Sequence, residues 1–206
     1  MSANVDPRDA ALQAAFPTVP VPRFGALADL PIGRKRLLVA ADGVYLEVRS
    51  SALHARLRLA TVDTPNGACE EFIAPTGGRV DQNWIGRLAE LALASGDQEV
   101  AAGILLSEGG WALHRPPTIS SSGGHVSYRD DFEDDRLLVD MHSHGAHGAF
   151  FSSTDDASDL ARPGPYFAVV LGQCLSHESL TWVVRFVCPP YLIPLDTEQL
   201  TRLGFF

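Results

Sequence analysis

Cysteine is scarce in this sequence. Its 206 residues include three cysteines, Cys69, Cys174 and Cys188, which lie far apart and form no C-x-x-C pair. An odd and scattered set gives no basis for a disulfide framework, so we expect reduced, mostly buried thiols in a cytoplasmic protein. A catalytic cysteine is the alternative, with His177, three residues after Cys174, as the imidazole nearest to it in sequence.

Long apolar runs and basic residues are also scarce. No run approaches the roughly 18 apolar residues that a membrane span needs, and the polar start Met1–Asp9 predicts no signal sequence. Lysine and arginine number 16 against 25 acidic residues, and the net charge of -9 argues against a nucleic-acid partner. The basic cluster Arg34-Lys35-Arg36 directly precedes an apolar run, which predicts a place at the start of a strand.

The N-terminal part of the chain reads as a proline-rich segment followed by a β-meander. A short helix is predicted around Asp9 to Ala15. Two strand-like runs joined by Asp42-Gly43 predict a hairpin, and the alternating run from Ala55 to Ala60 predicts a third strand. Loop signals that end in Pro75-Thr76-Gly77-Gly78 place a domain boundary there, so we predict one unit over residues 1–78 and a second over 79–206.

The second unit alternates helices and strands. Asp81 to Ser95 is predicted as a helix that ends at Gly96, with a core-facing stripe of Trp84, Ile85, Leu88, Leu91 and Ala92. A polar loop is predicted over Ser120–Gly124 and a helix over Asp155 to Leu160. Strands are predicted at Glu99–Leu106, Trp111–His114, His125–Tyr128, Leu137–Met141, Tyr166–Leu171 and Leu180–Val187. This order predicts an α/β (α+β) fold, a mixed β-sheet core flanked by helices.

The strand over Leu137–Met141 runs into a group of metal-binding residue types. His142 and His144 are two residues apart, so on a strand they project from one face and can reach the same ion. Asp155, eleven residues later, can be brought back by a loop as an oxygen ligand. Two nitrogens and one carboxylate leave a fourth zinc position for water, which is the arrangement of a catalytic site. We therefore predict one Zn²⁺ per chain.

The pattern H-x-H, seven residues, S-x-x-D resembles the signature of the JAMM (MPN+) metalloproteases. It is read here from His142-Ser143-His144 to Ser152-Ser153-Thr154-Asp155, with Gly145 in place of the family's usual proline. The resemblance implies a JAMM/cytidine-deaminase-like core and cleavage of isopeptide or peptide bonds after a ubiquitin-like protein. The rest of the chain has an extra N-terminal part and ends in Pro189-Pro190-Tyr191-Leu192-Ile193-Pro194-Leu195. In this overall pattern and in its length it resembles the protein A family of the bacterial PRTRC plasmid-type gene systems.

Further roles follow from the JAMM resemblance. The family's acid/base glutamate stands in E-x-x-G, and the candidate here is Glu99, although Gly103 follows it by four residues and not three. An extra strand residue reverses a side chain unless a bulge absorbs it, so Glu108 is the alternative base, and a surface role for Glu99 stays open. Ser152 is the candidate oxyanion donor, with a helix N-cap as its alternative role.

Two residues near the predicted ligands, Asp140 and His147, are further candidates for the site. Asp140 precedes the first histidine and is predicted either to orient a ligand or to touch the metal itself. His147 lies in the loop between the ligands, as a surface residue, a substrate contact or an auxiliary ligand. The acidic run Asp130, Asp131, Glu133, Asp134 and Asp135 is either a solvated loop or a docking surface for a basic partner.

The function predicted from these resemblances is a zinc-dependent isopeptidase. Its partner would be a bacterial ubiquitin-like protein, with a ThiF-like activating enzyme in the same system. Two alternatives are a metallohydrolase that acts on a carrier-protein C-terminus and a non-catalytic JAMM-like scaffold. A groove beside an exposed sheet edge would favour a peptide tail that binds by strand addition.

Overall fold

The computed structural model describes residues 6–205 except 82, 97, 123–124 and 130. Its N-terminal part consists of α1 (Pro7–Ala15), β1 (Thr18–Pro20), β2 (Arg34–Ala40), β3 (Gly43–Arg49), β4 (Leu53–Thr61) and β5 (Phe72–Pro75). Its C-terminal part begins with α2 (Asn83–Ala94), β6 (Ala101–Ser107), β7 (Gly110–His114), β8 (Thr118–Ser122) and β9 (His125–Tyr128). It ends with β10 (Leu137–Ser143), α3 (Ser153–Ala161), β11 (Tyr166–Gly172), β12 (Thr181–Cys188), β13 (Tyr191–Leu195) and α4 (Thr197–Leu203).

The five N-terminal strands form one mixed sheet in the order β1-β2-β3-β4-β5. The predicted hairpin is present, but its turn residues are Ala41 and Asp42, because Ala40 pairs with Gly43. Gly43 is needed for a different reason: a Cβ there would lie 2.4 Å from the Ala60 carbonyl oxygen on β4. The sequence analysis missed β1 and β5, which are short edge strands. β5 ends on Pro75, a residue that an edge position tolerates.

The C-terminal strands form a six-stranded mixed sheet in the order β13-β12-β11-β10-β6-β7. β10 lies inside it, antiparallel to β6 and parallel to β11. The predicted α/β fold around a mixed sheet is therefore confirmed. β13 and α4 were missed; α4 begins with an Asp196 capping box and ends at Gly204 in the left-handed region, where φ is 94°.

Helix α2 confirms the predicted apolar stripe. Leu88 and Ala92 are buried, while Trp84, Ile85 and Leu91 are partly buried against the same core. Gly96 has a φ of 63°, which favours glycine and ends the helix as predicted. The loop predicted over Ser120–Gly124 is wrong for its first part, since Ser120, Ser121 and Ser122 pair with β9. Residues 123–124 lie outside the described part of the chain.

The two sheets share one hydrophobic core. Leu46 and Leu53 from the N-terminal sheet lie in the same buried cluster as Val139 and Phe167 from the C-terminal sheet. The end of the chain closes this core, because the Phe205 ring packs on Phe167 with centroids 4.2 Å apart. Val80 N–H also donates to the Phe205 carbonyl at 2.7 Å. The N-terminal meander therefore packs directly on the rest of the chain across the predicted boundary at residue 78.

The acidic run before β10 contacts its own chain. Asp131 lies 2.7 Å from His114 Nε2, and Asp134 lies 3.5 Å from the buried guanidinium of Arg162. Asp135 Oδ1 accepts from Ser51 N–H at 3.1 Å, and the Asp135 carbonyl accepts from Ala52 N–H at 3.1 Å. Among the described residues of the run, Asp131, Asp134 and Asp135 have these partners, and Glu133 pairs with Arg136 at 3.3 Å, while most of the run stays exposed to solvent. Asp130 lies outside the described residues.

Among the described residues, no helix has the length and apolar character needed to span a membrane. The cysteines are unpaired, with Cys174 and Cys188 buried and Cys69 partly exposed. Burial raises the pKa of both buried thiols, to about 11 for Cys188. This environment disfavours the thiolate that a catalytic cysteine requires.

A buried charge cluster lies on the other face of the N-terminal sheet. Glu47 is 1% exposed, and its carboxylate accepts from Arg36 Nε at 2.6 Å and from Arg56 Nη2 at 2.7 Å. His54 Nε2 lies 3.0 Å from the same carboxylate. Arg36 also donates to the Ala28 carbonyl at 2.7 Å, which ties the irregular segment before β2 onto this face. Burial opposes ionisation of Glu47, but hydrogen bonds from His54, Arg36 and Arg56 lower its pKa to about 2.

This cluster predicts an acid-labile fold. Because the Glu47 pKa is lower in the folded protein than its ordinary 4.5, its contribution is fully present above about pH 5 and is lost as the pH falls towards 2. The contribution is roughly 2–4 kcal/mol. Glu47→Gln should therefore lower the free energy of unfolding strongly at pH 7 and much less at pH 3, measured by urea denaturation. The exposed Glu178→Gln is the control and should change stability by less than about 0.5 kcal/mol. An equal effect of Glu47→Gln at both pH values would contradict this assignment.

Candidate metal centre

Two histidines meet at the end of β10. His142 is in the strand and His144 follows it, held in line by its N–H, which donates to the Leu171 carbonyl of β11 at 2.7 Å. The two Nε2 atoms lie 3.2 Å apart. Side-chain alternation on an extended chain explains the shared face, as the sequence predicted. Two imidazole nitrogens at this distance can share one ion.

A backbone carbonyl orients the second histidine. His144 Nδ1 lies 3.3 Å from the Gly148 carbonyl oxygen, which can only accept a hydrogen bond. The proton of the neutral ring therefore belongs on Nδ1, and the lone pair of Nε2 points at His142. Metal-binding histidines commonly have their other ring nitrogen fixed in this way.

The loop after His144 depends on Gly145. Its φ is 53°, in the region that favours glycine, whereas a proline ring fixes φ near about −65°. The chain therefore takes a path here that the usual proline of JAMM sequences cannot follow. Gly145 C=O accepts from Cys174 N–H at 2.8 Å, which anchors the loop beside the end of β11.

Helix α3 delivers the third candidate ligand. Ser152 is its N-cap, and Ser152 with Asp155 forms a reciprocal capping box. Asp155 Oδ2 accepts from Ser152 N–H at 2.6 Å, while Oδ1 lies 3.3 Å from His142 Nε2. The bond that starts the helix thus also turns the other carboxylate oxygen towards the histidines. In the described part of the chain, His142, His144 and Asp155 form a group whose ligand atoms all lie within 4.8 Å of one another.

These separations suit a small divalent cation. Zinc–nitrogen and zinc–oxygen bonds of about 2.0–2.2 Å in a tetrahedron place ligand atoms about 3.3 Å apart. The observed 3.2 Å and 3.3 Å match that spacing for two of the pairs. Three protein ligands would leave a fourth position for a small molecule, which the cavity beside them can admit.

His142 is electrostatically suited to bind a cation. Burial lowers its pKa to about 4, against the opposing effect of the Asp155 carboxylate. The ring is therefore neutral at pH 7, and neutral imidazole is the form that coordinates metals.

Glu99 lies beside the ligands at the start of β6. It is 8% exposed and lines a cavity of about 590 Å³ together with His142, His144 and Asp155. Glu99 lies two residues before β6, which begins at Ala101. The side-chain alternation of a regular strand, on which the doubt about Glu99 was based, therefore does not determine where its side chain points.

Ser143, between the two histidines, determines the position of this segment. It is fully buried and points to the opposite face, where its Oγ accepts from Val100 N–H at 3.0 Å. Its own N–H donates to the Val100 carbonyl at 2.9 Å. Glu99 is therefore attached, through its neighbour Val100, to the residue between the two histidines. Strand alternation predicts that Ser143 is buried, but its partner could not be read from the sequence.

Glu108, the alternative base, lies elsewhere. It is exposed in the turn between β6 and β7, at the end of β6 away from Ala101, which pairs with His142. Glu108 is not among the residues that line the cavity. Of the two candidates, the structure brings only Glu99 to the histidines.

Ser152 has the helix N-cap role that the sequence analysis gave as its alternative. Its Oγ accepts from Asp155 N–H at 3.2 Å as the helix N-cap, and it lines the cavity. Capping occupies a lone pair of the hydroxyl oxygen, and the O–H proton is still a donor. A hydroxyl in this position can therefore cap α3 and donate to a developing oxyanion.

Asp140 and His147, which the sequence analysis also singled out, line the same cavity, as does Phe150. Asp140 is 13% exposed, lines the cavity and lies 3.7 Å from Arg162 Nη2. His147 is exposed, also lines the cavity, and is not in the three-residue ligand group. Phe150, which is 53% exposed, packs edge-on against His144 with centroids 4.7 Å apart.

Arg185 on β12 was missed by the sequence analysis. It is 5% exposed and pairs with two carboxylates of α3, Asp156 and Asp159. The available signal was a single arginine in the apolar run Val183-Val184-Arg185-Phe186-Val187, since a charge in such a run requires a partner.

Comparison with known proteins assigns most of the chain to two family models. Residues 81–185 match the model described as prokaryotic homologs of the JAB domain. Residues 6–74 match a domain of unknown function, DUF2016. No curated protein matches the chain. Among solved structures, a solution structure from Desulfitobacterium hafniense is similar, with 14% identity over 56% of this chain and 87% of that one and a TM-score of 0.41.

The Ser143 hydrogen bond predicts a stability defect. Ser143→Ala leaves the buried Val100 N–H without its acceptor, which should lower the free energy of unfolding by about 1–3 kcal/mol. Ser107→Ala is the matched control, because the Ser107 hydroxyl donates to Gly110 at 2.6 Å in an exposed turn. Urea denaturation of both variants measures the difference. A Ser143→Ala protein as stable as the wild type would show that Val100 does not depend on this hydroxyl.

Proposed function

Because the chain belongs to the prokaryotic homologs of the JAB domain, we propose that it is a zinc-dependent metallopeptidase that cleaves the bond after the C-terminal tail of a ubiquitin-like protein. The observation that carries this proposal is the convergence of His142, His144 and Asp155 within 4.8 Å, in a cavity that Glu99 and Ser152 also line. A ligand group, a carboxylate and a hydroxyl donor in one cavity are the parts that amide hydrolysis needs.

The three ligands fit zinc by their chemistry. Two nitrogens and one carboxylate form a set that zinc accepts in catalytic sites. When bound, zinc would supply Lewis-acid chemistry and lower the pKa of water to about 7. The protein's own contribution is to keep the His142 imidazole neutral, to orient His144 through the Gly148 carbonyl, and to aim Asp155 Oδ1 through the capping box.

Glu99 and Ser152 act on the substrate in this proposal. The Glu99 carboxylate takes a proton from the attacking water and later gives it to the leaving amine. The Ser152 hydroxyl donates to the carbonyl oxygen of the scissile bond as negative charge develops there. Neutral histidines committed to a metal cannot serve as a base for Ser152, which makes it a donor and not a nucleophile.

The proposed substrate class rests on the resemblance to the JAMM metalloproteases. A ubiquitin-like protein with a flexible glycine-rich tail suits a cavity whose rim includes Gly148 and Phe150. The resemblance to the protein A family of PRTRC systems extends this proposal to a partnership with a ThiF-like activating enzyme. A cytoplasmic location is part of the same proposal.

The first test is metal content. The purified wild type should contain about one zinc per chain, and His144→Ala should lose it, because two ligands hold zinc poorly. His177→Ala is the control, since His177 is 68% exposed and its side chain pairs with Glu90. Elemental analysis of the three proteins gives the stoichiometry. A wild type without zinc after growth and dialysis in zinc would refute the proposal.

The second test separates an enzyme from a scaffold. Glu99→Gln should keep its zinc and lose hydrolysis of a ubiquitin-like protein fused through Gly-Gly to a fluorescent reporter, by about 10²–10⁴-fold. Glu108→Gln should retain both. If Glu99→Gln hydrolyses normally while His142→Ala is inactive, Glu99 is not the base. A zinc-loaded wild type that cleaves no such fusion would support the scaffold alternative.

A further inference from the structure

Arg185 lies on the face of the sheet that carries the candidate metal centre. It pairs across the ladder with Ala168, which in turn pairs with Asp140. Ala168 and Asp140 both line the cavity beside the histidines. Directly paired residues in a sheet point to the same face, so the Arg185 side chain stands on the cavity side. With 5% of its surface exposed, it is buried under α3 and the loop before it.

The three guanidinium nitrogens of Arg185 contact carboxylates of helix α3. Arg185 Nε donates to Asp159 Oδ2 at 2.8 Å, and Nη2 lies 2.6 Å from the same oxygen. Nη1 donates to Asp156 Oδ1 in a short hydrogen bond. Asp159 is held from the other side by Tyr166, whose hydroxyl donates to Oδ1 at 2.7 Å. The two aspartates are three residues apart and therefore lie on one face of the helix.

The flat face of the guanidinium packs on an aromatic side chain in the loop before α3. The Arg185 Cζ lies 3.8 Å from the centroid of the Phe151 ring, a close cation–π contact. Phe151 directly precedes Ser152, the N-cap of α3. Arg185 therefore contacts the chain on both sides of Ser152 and Asp155, at Phe151 and at Asp156.

We propose that Arg185 is a positioning residue for the metal centre. Its contacts with Phe151, Asp156 and Asp159 hold the start of α3 in place. This position of the helix puts Asp155 Oδ1 and the Ser152 hydroxyl opposite His142. This inference rests on the proposed metal centre and adds a residue outside the ligand group. Asp155 reaches the site from a helix, whereas His142 is in β10 and His144 directly follows that strand. The site is therefore complete only when α3 is held at a fixed position on the sheet.

Stability alone does not account for this arrangement. Burying the guanidinium and the Asp159 carboxylate costs desolvation energy that their ion pair roughly offsets, so such a pair adds little net stability over apolar packing. Its geometric effect is stronger, because a planar guanidinium binds carboxylates in fixed directions while it stacks on an aromatic ring. A lysine keeps the charge but cannot make the forked contact and the stacked contact together.

The experiment compares two variants of this cluster with two matched controls. Arg185→Lys removes the fork, and Asp156→Asn weakens one of its contacts at a side chain that is 49% exposed. Arg36→Lys is the control for a buried arginine, since Arg36 and Glu47 are as buried as Arg185 and Asp159 but belong to the other sheet. Glu198→Gln is the control for loss of an acidic residue in the first turn of a helix, in α4.

The readouts are zinc affinity, measured by competition with a chromogenic chelator, and the visible absorption spectrum of the protein reconstituted with Co²⁺. Arg185→Lys should bind zinc about 10–100-fold more weakly than the wild type, with an altered Co²⁺ spectrum, because Asp155 is displaced. Asp156→Asn should shift both in the same direction by a smaller factor. Both controls should retain wild-type affinity within about twofold and the wild-type spectrum, even though Arg36→Lys loses stability.

The outcomes distinguish this inference from the proposed function. If Arg185→Lys and Asp156→Asn fold and bind both metals as the wild type does, Arg185 has no positioning role, and the metal centre itself is unaffected. If Arg185→Lys does not fold, Asp156→Asn decides by the same readouts. If Arg36→Lys weakens zinc binding as much as Arg185→Lys, the effect is general destabilisation and the inference is overturned. A wild type that binds neither metal refutes the metal centre, and the role of Arg185 with it.

Discussion

The pairing of β10 on both of its edges is the constraint on which the site depends. On one edge, the antiparallel contact with β6 puts Val100 against Ser143 and so brings Glu99 to the histidines. On the other edge, the parallel contact with β11 continues through His144 N–H to the Leu171 carbonyl. A strand fixed on both sides cannot slide or rotate, because a shift of one residue would turn both imidazoles to the opposite face.

The end of β11 also shapes the loop between the ligands. A Cβ at Gly172 would lie 2.2 Å from Ala149 N and 2.4 Å from Gly148 C, so the loop can cross there only over a glycine. This close approach places the Gly148 carbonyl where it accepts from His144. Gly145 and Gly172 thus have a shared role, since one lets the chain turn with positive φ and the other lets it pass close to the sheet.

The N-terminal sheet contributes to the same structure rather than standing apart from it. Its inner face shares the hydrophobic core with the C-terminal sheet, and Asp135 joins the two at Ser51 and Ala52. Its outer face is closed by the charge cluster around Glu47, where Arg36 holds the segment before β2. Burying Glu47 is favourable only because three basic side chains surround it, which makes this face dependent on pH in a way that an apolar face would not be.

The sequence by itself determined the local features of this protein. Hydrophobic periodicity predicted α2 and most strands, including β10, since these signals depend on near neighbours. The spacing of His142, His144 and Asp155 predicted a shared ligand group, because strand alternation and a loop of that length suffice for it. The short edge strands β1 and β5 were not predicted, because three or four residues are too few to show a hydrophobic alternation.

Tertiary structure alone decided which distant residues lie near the candidate ligands. Glu99 could not be preferred to Glu108 from spacing, since its direction depends on how Val100 pairs with Ser143, 43 residues away. Arg185 meets Asp159 across 26 residues, and only strand order and helix placement bring them together. The physical reason is that sequence patterns report which face a residue occupies, whereas a partner on another element is set by the packing of the whole core.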